Sequence, residues 1–175
     1  MPVTLEDVPV LETERLRLRP PTPEDVPAAT GFYASKRSKY AGGDVPKFRA
    51  WSNAVALLGH WAVRGYGLWT VTAKDSGAAL GFVGPYNPDG WPEAEIGWLL
   101  LEGSEGKGIA YEAAIAARSH AQNVLDWTDI VSYIAPENER SIKLAEKLGA
   151  VLDPNAVVPK PDDPCLVYRH PRSAA

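Results

Sequence analysis

EGKGIAYEAA, residues 105–114, is the most informative stretch of this chain. Gly106 and Gly108 stand one residue apart and predict a tight loop, and an alanine-rich helical pattern begins directly after them. Glycine lets the backbone adopt positive φ and approach a ligand closely, and the first turn of a helix presents unpaired N–H groups at the positive end of its dipole. The stretch therefore predicts an anion site suited to a pyrophosphate, with a glycine turn before a buried helix as the alternative.

Two common phosphate-binding motifs do not fit this stretch. A Walker A loop needs a serine or threonine after its lysine, and here Lys107 is followed by Gly108. A dinucleotide fingerprint needs a third glycine where this chain has Tyr111. A nucleotide or nucleic-acid binder that uses the glycine loop is therefore disfavoured.

The segments around the glycine loop predict alternating strands and helices. In chain order they are a strand over 93–101, a helix over 106–123, a strand over 129–134, a helix over 138–148, and short strands near 149–152 and 164–170. The first strand ends in the apolar run IGWLLL, and Gly149 ends the second helix. This alternation predicts a mixed α/β sheet with a strand-loop-helix switch in its middle.

The first half of the chain predicts strands and two helices. They are a strand around Leu16 and Leu18, a helix from Thr22 to about Tyr33, a helix over 47–64, and strands over 68–72 and 79–84 joined by a turn at 74–77. In the second helix Trp51 and Trp61 recur at helical spacing, which predicts that both lie in the core. Between the two helices, a basic loop containing Lys36, Arg37, Lys39 and Tyr40 is interpreted as solvated.

The order and spacing of these fragments resemble the GCN5-related N-acetyltransferase superfamily. Within it, the chain is similar to the group named for the ribosomal-protein N-terminal acetyltransferases (RimJ/RimL type). The likeness extends from TERLRLR (13–19) through GFVG (81–84), EIGW (95–98) and GKGIA (106–110) to YRHP (168–171). It implies a single domain over residues 1–175, with its core at 11–171: a mixed, mostly antiparallel α/β sheet with a splayed central parallel strand pair, flanked by about four helices.

The resemblance implies acetyl-CoA as the acyl donor, with no metal. The pantetheine arm would pair with the backbone of residues 99–101 as an added strand, and its pyrophosphate would meet the N–H groups of residues 106–110. Asn138 would bind the arm, and Ser141 would lie near the sulfur. The implied cofactor-binding residues are Leu99, Leu100, Leu101, Glu105, Gly106, Lys107, Gly108, Ile109, Ala110, Asn138 and Ser141. From the residues alone, Asn138 is interpreted as a helix cap and Ser141 as a tolerated polar residue.

Glu105 departs from the resembled family, which usually has glutamine, arginine or an aromatic residue at this position. An acid beside a pyrophosphate is unfavourable unless its side chain points into water.

Two side chains are candidates for the catalysis that the resemblance implies, which is attack of a neutral amine on the thioester. Alkyl amines, whose pKa is about 10, are mostly protonated at neutral pH, so a base that removes this proton is useful. Glu95 is the first candidate for this base. Glu93 is the alternate base because side chains two residues apart on a strand share one face. The alternative interpretation of Glu95 is a solvated carboxylate at the end of a strand, with no catalytic role. In many relatives a tyrosine acts as the general acid at the position where this chain has Ala145. The general acid here is therefore expected to be Ser141 or water.

Composition and short motifs limit the kinds of partner and the cellular compartment that are expected for this chain. The net charge of −4 disfavours nucleic acid, and the single cysteine, Cys165, with no Cys/His cluster, offers no zinc site. The histidines His60, His120 and His170 have no matching serine or cysteine constellation for a hydrolytic triad and are read as surface or packing residues. No signal-peptide pattern or membrane-spanning run is present, so a cytoplasmic protein away from the membrane is expected.

The leading hypothesis is an N-acetyltransferase that transfers acetyl from acetyl-CoA to a protein N-terminus or a small amine. Its alternatives are an acyltransferase that uses another acyl-CoA and a CoA-binding module without catalysis. Residues 86–92 are candidates for the acceptor mouth, with a rigid loop as the alternative. The resemblance also implies that the first two helices and the basic loop between them form one wall of the acceptor site, as the alternative to a solvated loop. A homodimer is left open, because members of the resembled family often dimerise.

Overall fold

The computed structural model describes residues 5–172 of the chain. Within them the strands are β1 (Leu11–Glu12), β2 (Leu16–Arg19), β3 (Trp69–Ala73), β4 (Ala79–Tyr86), β5 (Glu95–Leu100), β6 (Val131–Ile134), β7 (Val151–Leu152) and β8 (Leu166–Arg169). The helices are α1 (Val26–Tyr33), α2 (Lys47–Arg64), α3 (Ile109–Asn123) and α4 (Glu139–Lys147). The outermost residues of the predicted domain, 1–4 and 173–175, lie outside the described residues.

All eight strands form one sheet in the order β1-β2-β3-β4-β5-β6-β8-β7. Every neighbouring pair is antiparallel except β5 and β6, which are parallel. Parallel neighbours need a long crossover connection, and α3 supplies it. The predicted fold class, a mixed and mostly antiparallel α/β sheet with one central parallel pair, is confirmed.

The parallel strands β5 and β6 are joined at one end and separate at the other. Glu95 and Val131 are in register, and Val131 N–H donates to Ala94 C=O at 3.0 Å. Past this pair, no further residues of the two strands are in ladder register in the described part of the chain. We call the point where the strands part the fork.

Two side chains replace the bond that is missing at the fork. In a regular parallel ladder, the next bond would join Tyr133 N–H to Ile96 C=O. Instead, the Ser132 hydroxyl donates to Ile96 C=O at 2.7 Å, and Tyr133 N–H donates to a carboxylate oxygen of Glu95 at 3.4 Å. The carbonyl of Ile96 and the N–H of Tyr133 therefore each have another hydrogen-bond partner, and the strands can separate without leaving either group unpaired.

The sheet has an apolar core on each face. On one face α3 packs through Ala113, Ala117 and Ala121, all fully buried, against a cluster that includes Leu18 and Trp69. On the other face α1 and α2 pack over Phe82 and Leu68. The helices thus cover both sides of the sheet, and the fork lies between them.

The prediction that Trp51 lies in the core is wrong. Its side chain is 55% exposed, whereas Ala50 and Ala54 are fully buried and Trp61 is 4% exposed. The buried stripe of α2 begins one residue earlier than the spacing of the large side chains indicates. Small alanine side chains let α1 and α2 approach closely, so the contact is made by the alanines and Trp51 faces outward.

A buried carboxylate holds the start of the first helical segment. Asp25 is 4% exposed and accepts two hydrogen bonds from the Arg19 guanidinium, both at 2.8 Å. It also accepts from Thr22 N–H and from the Thr70 hydroxyl, each at 2.8 Å. This network explains why the helical turn begins after Thr22, as the sequence predicted.

Candidate active site

A cavity of about 1340 Å³ opens where β5 and β6 part. Its walls come from β5, the N-terminal ends of α3 and α4, and the loop between α1 and α2. Most of the predicted site residues line it, namely Glu95, Leu99, Leu100, Glu105, Gly106, Gly108, Ile109, Ala110, Asn138 and Ser141. Leu101 and Lys107 are not among the lining residues.

The glycine loop ends where α3 begins, at Ile109, which is three residues later than the predicted helix start at 106. Gly106 and Gly108 have φ of 72° and 75°, a region that side-chain-bearing residues rarely adopt. No side chain of the described residues caps the helix at its first turn, so its N–H groups are open to a ligand. Lys107 lies on the exposed side of the loop, where its carbonyl accepts a 3.0 Å bond from Arg15.

The register of β5 decides which of its backbone groups face the cavity. Leu101 N–H donates to Leu80 C=O at 2.9 Å, and a methyl placed on Gly81 would meet Leu99 C=O at 2.2 Å. Leu99 and Leu101 therefore direct their backbone toward the neighbouring strand β4. By the period of two, Trp98 and Leu100 direct theirs toward the cavity.

Of the three predicted leucines, Leu100 alone has its backbone facing the cavity, and Trp98 was missed. The apolar run IGWLLL is equally apolar on both sides. Which of its residues direct their backbone toward the cavity can be decided only when the neighbouring strand is known.

The start of α4 places two polar side chains at the cavity. Asn138 is the N-cap, and its side-chain oxygen accepts from Ser141 N–H at 3.3 Å. Its amide NH₂ has no partner among the described residues and remains free to donate. The Ser141 oxygen accepts a 3.1 Å bond from the Trp98 indole N–H, which leaves its hydroxyl hydrogen free to be donated.

Glu105 does not point into open water. Its carboxylate pairs with Arg37 and lies 3.8 Å from the Arg140 guanidinium. Arg37 also donates to Leu100 C=O at 3.3 Å. Two arginines therefore compensate the acid in the glycine loop.

The basic loop is exposed to solvent, as the sequence predicted, but it also forms part of the cavity wall. Lys36, Arg37, Lys39 and Tyr40 all line the cavity. The signal that was missed is Glu105 itself, because an acid in an anion-binding loop needs a cation nearby.

Glu95 lies half-buried at the other end of the cavity. The Trp91 indole N–H donates to one carboxylate oxygen at 2.8 Å, and Tyr133 N–H donates to the other at 3.4 Å. Burial raises the pKa of Glu95 to about 7, although these two hydrogen bonds pull the pKa downward. A carboxyl with this pKa exchanges its proton near neutral pH.

Glu93, the alternate base, is occupied elsewhere. Its carboxylate makes two bonds to the Arg169 guanidinium, at 2.7 and 3.0 Å. Arg169 also binds Asp153 at 2.8 Å. The predicted shared strand face is wrong, because Glu93 lies before the first residue of β5. Glu93 is ion-paired, whereas Glu95 has no ion pair within the described residues.

Three aromatic rings surround Glu95. The Trp91 ring lies 5.8 Å from that of Tyr86 and 6.1 Å from that of Tyr133, with ring planes at 86° and 90°. All three side chains line the cavity. We call this set, with Glu95, the aromatic box. Of its rings, Trp91 and Tyr86 come from the predicted mouth, whereas Tyr133 on β6 was not predicted.

Comparison with known proteins agrees with this geometry. The family described as "Acetyltransferase (GNAT) domain" matches residues 15–151. This chain belongs to the GNAT acetyltransferase family. The crystal structure of an acetyltransferase from Agrobacterium tumefaciens superposes on this GNAT domain with a TM-score of 0.88 and 39% identity, covering 95% of this chain and 96% of that one.

Two more distant relatives extend the comparison. The uncharacterized protein YkkB of Bacillus subtilis (strain 168) is 30% identical over 90% of this chain and 93% of its own length. RimL, a ribosomal L7/L12 α-N-protein acetyltransferase whose structure is a complex with coenzyme A, has a TM-score of 0.69 at 16% identity, covering 93% of this chain and 96% of that one. At that identity the likeness of this GNAT domain to RimL is one of fold.

Residues 5–172 contain neither a metal-binding cluster nor a membrane-spanning helix. No group of three or more histidine, cysteine, aspartate or glutamate side chains is placed to hold a metal ion in this part of the GNAT domain. None of its described helices is long and apolar enough to cross a lipid bilayer.

The raised pKa of Glu95 predicts a pH-dependent stability effect that needs no substrate. The folded protein holds the Glu95 proton more tightly than the unfolded chain does. Below a pH of about 4.5 the carboxyl is protonated in both states and does not reduce the free energy of unfolding. Between a pH of about 4.5 and a pH of about 7, ionisation of Glu95 reduces the free energy of unfolding increasingly. Glu95→Gln should therefore raise the melting temperature relative to the parent protein more at pH 8 than at pH 5, measured by calorimetry. Glu93→Gln is the control and should lower it, because it breaks the ion pair with Arg169. An equal effect of Glu95→Gln at both pH values would contradict the raised pKa.

Proposed function

We propose that this protein transfers the acetyl group of acetyl-CoA to a primary amine. The observation that carries the proposal is the fork. It leaves the backbone of Trp98 and Leu100 facing the same cavity as the first N–H groups of α3. Coenzyme A combines an arm with two amides and a pyrophosphate, so one extended molecule can satisfy both sets of groups.

The donor end of the cavity supplies groups of the right chemistry for this molecule. Arg37, Arg140 and Lys143 line it and favour an anionic ligand despite the net charge of −4. The free amide NH₂ of Asn138 is a donor for a carbonyl of the arm. The arm would lie along β5 as an added strand, in the mode by which extended peptides extend a sheet edge.

The aromatic box is the proposed acceptor end. Aromatic faces and a carboxylate together attract an ammonium group, and the apolar ring surface favours an apolar or aromatic body behind it. We therefore place a primary amine on such a body here, carried either by a small molecule or by the first residue of a protein.

Glu95 is the proposed base and Ser141 the proposed acid. A base works best when its pKa is near the working pH, and burial raises the pKa of Glu95 to about 7. Glu95 would take the proton of the bound ammonium. Ser141 has its oxygen occupied by the Trp98 indole, so its hydrogen is available to the departing thiolate. The proton that the attacking nitrogen loses as the amide forms would then restore the serine hydroxyl.

The proposed acceptor class predicts an order of rates. With acetyl-CoA, thiol release should be fastest with primary amines on aromatic or apolar bodies, slower with hydrophilic amino acids and peptides, and absent with alcohols. Trp91→Ala should raise the acceptor KM by about tenfold, since a cation–aromatic contact in a desolvated site contributes about 1–2 kcal/mol. No thiol release with any amine would overturn the proposed function.

The proposed base predicts a particular pH profile. The wild-type kcat/KM should rise with pH around 7, while Glu95→Gln should lose this rise and be slower by about 10²-fold or more at pH 7. The gap should narrow at high pH, where the amine is neutral without help. Trp91→Phe keeps the ring but removes a bond that lowers the pKa of Glu95, so its profile should shift to higher pH. Unchanged profiles in both variants would remove Glu95 from the mechanism.

The arginine pairing of Glu105 predicts an effect on donor affinity. Glu105→Gln should tighten acetyl-CoA binding at low salt, because it removes a like charge and releases Arg37 and Arg140 for the phosphates. The effect should shrink as salt is added. Glu102→Gln is the matched control, since it removes the same charge from an exposed position of the same loop. Isothermal calorimetry showing equal or weaker binding by Glu105→Gln would contradict this role.

A further inference from the structure

Three polar side chains, of which Arg118 is half-buried and the other two are buried, form a continuous line from α3 to the fork. Arg118 Nη1 lies 3.2 Å from His170 Nδ1, and His170 Nε2 lies 2.9 Å from the Ser132 oxygen. The Ser132 hydroxyl lies 2.7 Å from Ile96 C=O. Ser132 is 2% exposed, His170 is 5% exposed and Ile96 is fully buried. We call Arg118, His170 and Ser132 the relay.

The chemistry of its two ends fixes every proton in the relay. A guanidinium can only donate, so His170 Nδ1 accepts and carries no hydrogen. A carbonyl can only accept, so the Ser132 hydroxyl donates its one hydrogen to Ile96. His170 Nε2–H therefore donates to the Ser132 oxygen. Burial and the charge of Arg118 lower the pKa of His170 to about 4, which keeps the ring neutral as this pattern requires.

The relay is not a hydrolytic dyad. An activated serine needs a histidine nitrogen that accepts its hydrogen, whereas here the facing nitrogen donates and the serine hydrogen is already bound to Ile96. The third member is a cation rather than a carboxylate. The Ser132–His170 contact was missed in the sequence because 38 residues separate the two positions.

We propose that Arg118, His170 and Ser132 are positioning residues that hold the fork open. Their target is Ile96 C=O, the acceptor that a regular ladder would give to Tyr133 N–H. Because the Ser132 hydroxyl already satisfies this buried carbonyl, forming the ladder bond gains little, and β6 stays apart from β5. If Ser132 loses its hydroxyl, a buried carbonyl is left without a donor, which is costly, and Tyr133 N–H is the nearest group that a ladder can offer. The fork would then advance by one bond into the cavity.

Amide hydrogen exchange of the ligand-free protein tests this directly. In Ser132→Ala the Tyr133 amide should exchange about tenfold more slowly than in the parent protein, because its weak 3.4 Å bond to Glu95 is exchanged for a ladder bond. A purely structural role predicts the opposite sign, since loosening the site speeds exchange. Thr70→Val is the control, because it removes an equally buried hydroxyl, bound to Asp25 at 2.8 Å, on β3. It should leave the Tyr133 amide unchanged.

A second measurement uses His170, in case Ser132→Ala is too unstable to study. Glutamine can present a donor in place of His170 Nε2–H, and leucine cannot. With coenzyme A as the titrant, His170→Leu should bind about tenfold more weakly than the parent protein, and His170→Gln should recover most of that affinity. Nitrogen-15 spectra of the parent protein should show the neutral Nε2–H form of His170 at pH 7.

The outcomes separate this inference from the proposed function, on which it depends only for the identity of the ligand. Faster or unchanged exchange of Tyr133 in Ser132→Ala would overturn the relay as a positioning device, as would an Nδ1–H form of His170. Equal coenzyme A binding by His170→Leu would do the same. A parent protein that does not bind coenzyme A would overturn the proposed function, and the exchange result would still decide the role of the relay.

Discussion

When two parallel strands stop bonding partway along their length, the peptide groups beyond that point need other partners. In this protein β5 and β6 are in register at one residue pair, and the first bond that is lost is replaced by the Ser132 hydroxyl and the Glu95 carboxylate. Further along, the exposed groups of Trp98 and Leu100 face a cavity of about 1340 Å³. The cavity and the interrupted sheet are therefore one feature, and the candidate site residues are arranged around it.

Local charge differs from the net charge at this site. The chain carries −4 overall, yet Arg37 and Arg140 stand beside the glycine loop and compensate Glu105. At the other end, burial with no ion pair from residues 5–172 leaves Glu95 with a pKa of about 7. The opposite ends of one cavity thus differ in electrostatic character, which is what the proposed anionic donor and cationic acceptor would require.

The sequence predicted what depends on short-range patterns. The bounds of α2, the glycine conformations before α3 and the cap at Asn138 all follow from local rules. It could not predict what depends on a partner. Which residues of β5 direct their backbone toward the cavity depends on the pairing of β5 with β4. The outward position of Trp51 results from the close packing of alanines between two helices. The role of Arg37 depends on Glu105, which is 68 residues away in the chain. The relay was invisible for the same reason.

The guanidinium of Arg37 belongs to the loop between α1 and α2, yet it contacts both Glu105 and Leu100 C=O. One side chain thereby ties a wall of the cavity to its glycine loop and to the edge of β5. Substitutions in contact are not independent, so this loop is not free to diverge on its own. A chimera that exchanges this loop between relatives must therefore exchange position 105 with it, because a loop without Arg37 would leave the Glu105 carboxylate without this partner.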